Sequence, residues 1–325
     1  MGTMTVRIAK WMMRRWERFP QEPAEDVGEC QEIFKHPKFM YGTDAARRDL
    51  MRKSAEAKYR SELDYPWDHY FGIDLRPLLA GAIALDLGCF TGGRSVAWAE
   101  RYGFKRLVGV DVAEVFVGAA REFASSHGVE ADFRVGVGEA LPVDDDSVDA
   151  VLSFDVLEHV QNVPRTLAEC YRVLKPGGRF FLVFPSYFHP LEHHLALVTR
   201  CPGIQYFFAG DTLVRAYCEI IEERGSAAEW YKRSRPMLEP WERGNTINGT
   251  TLARFRRYLR ELPWEVVHRS RLPIGSIGRQ ARGSRVLRGM AAACRPLARV
   301  PGLEEIFLHR VTYILRKPEN HRAGR

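Results

Sequence analysis

At 325 residues with a net charge of +7, the chain has the composition of a globular protein: 46% hydrophobic, 27% charged and 11% aromatic. No apolar run reaches the roughly 18 residues that a membrane-spanning helix needs, and no leader with an apolar stretch and a small-residue cleavage site opens it. The six cysteines (30, 89, 170, 201, 218 and 294) form no CxxC pair and no zinc-spaced cluster, which is the usage of a reducing cytosol.

Residues 1–75 read as a helical extension or cap. Its first helix carries Arg7, Lys10, Arg14 and Arg18 on one face and Ile8, Met12, Trp16 and Phe19 on the other. A basic helix of this kind can lie on an anionic membrane or contact an acidic partner; the alternative is a solvated basic face with the apolar side packed on the domain. AARRDLMRKSAEAKYRSELDY is the clearest helix of the extension.

From about residue 76 the rhythm changes. Short apolar runs (AIALDLG, RLVGVDV, DFRVGVG, VDAVLSF, RFFLVFP) alternate with helical segments up to residue 186. Strands buried on both faces are near-continuous apolar runs, and strand–helix alternation implies parallel strands with right-handed crossovers. The expected fold class is therefore α/β, a Rossmann-like doubly wound sheet. Residues 187–250 break the pattern and read as an acceptor lid insertion rich in aromatics and histidines. Residues 251–318 supply a last helix (TLARFRRYLREL), a strand (WEVVHRSRL), an arginine-rich insertion and a final strand (IFLHRVTYILRK), before a tail at 319–325. Between Val266 and Leu303 there are eight arginines and no acid.

The chemistry concentrates at DLGCFTGG, a glycine loop entered from a strand and opening a helix. It lacks the length and lysine of a loop that grips nucleotide phosphates. Asp86 lies inside it, and a carboxylate there repels a pyrophosphate but suits a cofactor with an ammonium and no phosphate. Asp111 ends the next strand, where an acid accepts hydrogen bonds from ribose hydroxyls. An acidic turn before the strand ending SFDVLEH, and the run YRVLKPGGRFFLVFPS, complete the set.

Together these motifs resemble the class I S-adenosylmethionine-dependent methyltransferases, in particular the type 11-like small-molecule branch. The resemblance covers residues 82–186, and more weakly the last two strands. It implies seven strands, with the last antiparallel and inserted beside the fifth, and S-adenosyl-L-methionine as cofactor. By position it implies that Asp86 orients the methionine part. Gly88 and Gly92 let the backbone approach, Asp111 clasps the ribose, Val112 also contacts the cofactor, and Gly138 and Glu139 lie by the adenine, with Val137 where relatives often carry an aspartate. Backbone near Phe154 meets the methionine amine.

Phe90 replaces the loop's middle glycine, which is acceptable if the backbone there avoids positive φ. Its ring is read either as a pocket wall or as packed beneath the N-terminal helices. A hydroxyl acceptor needs a base, and His159, His193 and His194 are the candidates, with Asp155 as a partner. No carboxylate cluster indicates a metal; Asp144–Asp146 reads as a solvated turn.

Base methylation of DNA is not expected, because no [ND]PP[YF] turn and no Pro-Cys nucleophile follow the fourth strand. The expected activity is biosynthetic O-methylation of a small molecule, sugar, or glycan or natural-product precursor. N- or C-methylation, a non-catalytic binding protein and a hydride-transferring dehydrogenase are the alternatives. The expected location is the cytoplasm, with peripheral contact to the inner face of a membrane as an option.

Overall fold

The computed structural model describes residues 2–17, 42–193, 195, 198–224, 248–278 and 283–319. Its frame is a seven-stranded sheet in the order β3-β2-β1-β4-β5-β7-β6. The strands are β1 (Ile83–Leu87), β2 (Arg106–Asp111), β3 (Ala131–Val135), β4 (Val148–Phe154), β5 (Leu174–Pro185), β6 (Glu265–Pro273) and β7 (Leu308–Arg316). The first five run parallel, and β7 is antiparallel to both β5 and β6. The doubly wound sheet with an inserted last strand is thus as expected. Strand order reverses between β1 and β4, which opens a crevice at the carboxyl ends of these strands.

The apolar runs bury both faces because successive side chains point to opposite sides. Leu85, Val151, Phe180 and Leu182 enter one core with Leu167 of α7 (Val163–Val173) and Phe255 of α9 (Leu252–Tyr258). Their neighbours Ala84, Leu152, Phe181 and Val183 enter the other, beside Trp67, Phe71 and Trp98. Trp98 belongs to α5 (Gly93–Tyr102), which opens from the glycine loop, and it stacks on Trp67 at 4.5 Å. The LKPGG turn is not a turn before β5 but an irregularity inside it. Leu174 pairs with Val148 and Arg179 with Ala150, so residues 175–178 bulge out, with Gly177 at φ 81°.

Around the sheet lie α2 (Asp44–Asp64), the short α3 (Asp68–Phe71) and α4 (Arg76–Leu79), and α6 (Glu114–Ser126). Helix α2 is capped by the Thr43 hydroxyl, which accepts the Ala46 N–H at 3.2 Å.

Helix α1 (Gly2–Arg15) does not pack as its charge pattern suggests. Val6, Ala9 and Met13 are its buried residues, in a small core with Leu213, Ala216, Tyr217 and Ile220 of α8 (Gly210–Glu223) and with Leu195 and Val198. Lys10 and Arg14 lie against that helix, Lys10 bonding Glu219 at 3.0 Å and both pairing with Glu223. Of the residues read as the apolar face, Met12 is half-buried against this core, whereas Ile8 and Trp16 are exposed, as are Met4 and Trp11. Arg18 and Phe19 lie outside the described residues. The first helix and the segment after β5 therefore form one unit, joined also by the Thr199 hydroxyl donating to the Met13 carbonyl at 2.9 Å. Among the described residues, no helix is long and apolar enough to cross a membrane.

Candidate active site

The glycine loop lies between the end of β1 and α5, over the crevice. Gly88 has φ 82°, and a Cβ on it would stand 2.3 Å from a methyl of Val156. Gly92 has φ 79°, and its Cβ would stand 2.8 Å from Ala120. Both positions thus need glycine for conformation and for space. Gly93 needs it for space alone: a Cβ would lie 1.9 Å from the Ala55 carbonyl oxygen of α2.

Phe90 corrects the expectation made for it. Its φ is +50°, so the loop does demand the left-handed region there and holds a phenylalanine in it. Two contacts fix the strain: the Phe90 N–H donates to the Asp111 carboxylate at 3.0 Å, and the ring lies 4.4 Å from that of Phe116, in a cluster with Leu50 and Met51 of α2. Phe90 also lines the cavity beside the loop, so wall and packed ring are both realised.

That cavity, of about 50 Å³, is lined by Lys58 of α2, by Asp86, Gly88, Phe90, Thr91 and Arg94 of the loop region, and by Trp98 and Phe154. Asp86 is buried and accepts the Ser95 hydroxyl at 2.6 Å. Burial pushes its carboxyl up to about 6, against the pull of that hydrogen bond and of the Arg94 charge. The Arg94 guanidinium stands 3.8 Å over the Phe154 ring and 3.6 Å from the buried Glu62 carboxylate. Asp111 is raised by burial against the N–H groups of Ala113 and Phe90 that it accepts.

The expected adenine side is less uniform. Gly138 lies against Thr166, where a Cβ would be 3.0 Å from its methyl. Glu139 spends its carboxylate on the Asn162 N–H at 2.8 Å, at the start of α7. Val112 (68% exposed) and Val137 (44% exposed) stand open just beyond the paired ends of β2 and β3.

At the end of β4 lies a charged nest that the sequence alone does not reveal. Asp155, at φ +55°, is held by the Arg310 Nε at 2.9 Å; Arg310 also donates to Glu192 at 3.1 Å and to the His309 carbonyl at 3.0 Å. Burial lowers Arg310, but the carboxylates of Asp155 and Glu192 overcome this and raise it. Burial would raise Glu192, yet the His309 hydrogen bond and the Arg310 charge hold it well below the usual range. Burial, reinforced by the Asp155 charge, drives the Glu158 carboxyl well above the usual range. Tyr70 packs edge-on against Phe154 at 4.9 Å and is raised by burial and by the Asp155 charge.

Of the candidate histidines, His159 is exposed, with its Nε2 3.8 Å from Glu158. His193 is buried; its Nδ1 accepts the Leu195 N–H at 3.1 Å, and burial pushes it down to about 4. It lies beneath the surface, not on it. His194 falls outside the described residues. Sequence reasoning missed Lys58, Arg94, Arg310 and Glu192. Arg94 carried a signal, a cation in the first turn after the glycines; Arg310 carried only an isolated charge in an apolar strand. Among the described residues, no group of three His, Cys, Asp or Glu side chains could hold a metal.

Residues 85–182 match a family model described as "Methyltransferase domain". The chain is similar to the "Ubiquinone biosynthesis O-methyltransferase" of Maricaulis maris (strain MCS10), 39% identical over 112 residues, which is 34% of this chain and 43% of that one. The protein of the same description from Sinorhizobium medicae (strain WSM419) is 36% identical over 115 residues, 35% and 46% of the two chains. The chain thus spans less than half the length of the curated relatives it matches. Among solved structures, an S-adenosylmethionine-dependent methyltransferase from Mesorhizobium loti is 16% identical, with a TM-score of 0.46, over 74% of this chain and 93% of that one. Strand order and glycine loop agree with the sequence match, which makes residues 85–182 similar to a methyltransferase domain.

Proposed function

We propose that this protein transfers a methyl group from S-adenosylmethionine to a hydroxyl of a small organic acceptor. One observation carries the cofactor half: the cavity beside the loop pairs the Asp86 carboxylate with the cations of Lys58 and Arg94. That arrangement reads an amino-acid zwitterion, with ammonium to Asp86 and carboxylate to the cations, and is wrong for a pyrophosphate on the acid side. Asp111 takes the ribose diol, and the adenine lies toward the exposed Val112 and the chain at Gly138 and Glu139.

When bound, the cofactor supplies a methyl group activated on a sulfonium. The chain's own work is to align, to exclude water and to manage one proton. Phe154 and Tyr70 give the acceptor an aromatic wall, and Arg310 with Asp155 gives it a fixed, ion-paired floor. His159 takes the hydroxyl proton; of the two described candidates it stands open, whereas His193 is buried. O-methylation follows the names of the curated relatives; a sugar or glycan acceptor, and N- or C-methylation, remain alternatives to this reading. The proposed location is the cytoplasm, with contact to an anionic membrane from that side.

The test is calorimetry with S-adenosylhomocysteine and with NAD, followed by labelled-methyl transfer to a panel of hydroxyl acceptors. Binding of the thioether alone, and turnover lost in His159→Ala but kept in His193→Ala, are the expected results. Tight NAD binding without thioether binding overturns the cofactor, and unchanged turnover in His159→Ala overturns the base.

A further inference from the structure

Helix α10 (Arg285–Leu297), in the arginine-rich insertion, carries more apolar surface than the fold covers. It starts squarely, with the Ser284 hydroxyl accepting the Leu287 N–H at 3.2 Å. Its inner face is seated tightly: Ala291 and Ala298 are buried, and a Cβ on Gly275 would stand 2.5 Å from the Leu287 carbonyl oxygen. The adjoining stripe faces water. Val286 (79% exposed), Met290 and Leu297 recur along one side of the helix, and Val300 and Leu303 extend it. Arg285, Arg288, Arg295 and Arg299 are exposed around it. Among the described residues, no acid pairs with Arg285, Arg295 or Arg299. A seated helix that exposes aliphatic side chains among arginines is built to meet something apolar and anionic.

The sheet fixes where this helix lies. Strand β6 is antiparallel to β7, and β7 to β5, so β6 and β5 end at the same edge, with Pro185 opposite Arg310 and Pro273 opposite Leu308. That edge is the one that carries the cofactor loop. Helix α1 is tied to the segment after β5 at that edge and exposes Met4, Ile8 and Trp11 around Arg7.

We propose that α10 and the turn after it, through Leu303, dock on an anionic lipid bilayer, with Val286, Met290 and Leu297 entering the acyl boundary and the arginines meeting headgroup phosphates. Charge selects the occupant. A stretch of 38 residues with eight arginines and no acid attracts an anionic surface. The stripe is aliphatic, without the aromatic platform on which single-stranded nucleic acid stacks. The inference rests on the membrane contact proposed above and gives it a surface; it does not depend on methyl transfer.

The test uses the full chain and sedimentation with vesicles of phosphatidylcholine, with and without phosphatidylglycerol. Binding is expected to the anionic vesicles alone and to weaken with salt. Val286→Asp with Met290→Asp weakens it at least about tenfold, and Arg285→Gln and Arg295→Gln weaken it about fivefold each. Calorimetry with S-adenosylhomocysteine, unchanged in all variants, shows that the fold is kept. Absence of wild-type binding to anionic vesicles overturns both the membrane contact and the role of α10. Undiminished binding in the α10 variants leaves the contact standing and overturns this surface. Binding to RNA with none to vesicles, or a dimer that the Val286 and Met290 changes dissolve, also overturns it.

Discussion

Replacing Asp86 by asparagine separates what this residue costs the fold from what it gives the cofactor. Its carboxyl is held at about 6, against 3.8 when free, chiefly by burial. Ionising it inside the folded chain near neutral pH therefore costs about 3 kcal/mol. The sign follows from proton binding. The folded state keeps its extra proton between these two values, so the relative stability is full below the lower one and is lost as pH rises through about 6. Asparagine is of the same size and still accepts the Ser95 hydroxyl. Asp86→Asn should therefore raise the free energy of urea unfolding near neutral pH by about 2–3 kcal/mol, with the two proteins converging in acid. The same change removes the anion that faces an ammonium, a charge-assisted hydrogen bond worth about 1.5–3 kcal/mol, so S-adenosylhomocysteine should bind about ten- to a hundredfold more weakly. In wild type, binding should release protons near pH 6 and strengthen as pH rises through that value. A variant that is no more stable than wild type near neutral pH, or that binds the thioether equally well, refutes the reasoning.

Two other substitutions probe the frame. Gly93→Ala drives a methyl against the Ala55 carbonyl, so α2 must shift; a loss of about 1–3 kcal/mol in thermal or urea unfolding is expected, with weaker thioether binding. Arg310→Leu leaves the half-buried Asp155 and Glu192 without their cation and should cost about 1–3 kcal/mol in urea unfolding.

The core was legible because its signals are local. Strands such as VDAVLSF and RFFLVFP are apolar on both faces, and the loop glycines stand where a strand meets a helix, so sheet, order of elements and cofactor loop follow from short windows. Other features depend on what meets what. Arg310 reaches Asp155 across 155 residues of chain, and no window contains both. Helix α1 has apolar residues all round, so its periodicity does not say which side is buried; the acids Glu219 and Glu223 decide it by drawing in Lys10 and Arg14. Phe90 was misjudged for a related reason. Residue type argues against positive φ, but the Asp111 carboxylate and the Phe116 ring hold it there.

The seating of Gly93 against Ala55, and the reach of Lys58 into the same cavity, bear on how this protein should be cut for expression. A fragment trimmed to the segment shared with relatives would keep the loop yet lose the helix that presses on it and one of the two cations beside it. The smallest piece worth producing begins upstream of Asp44, well ahead of where sequence kinship starts.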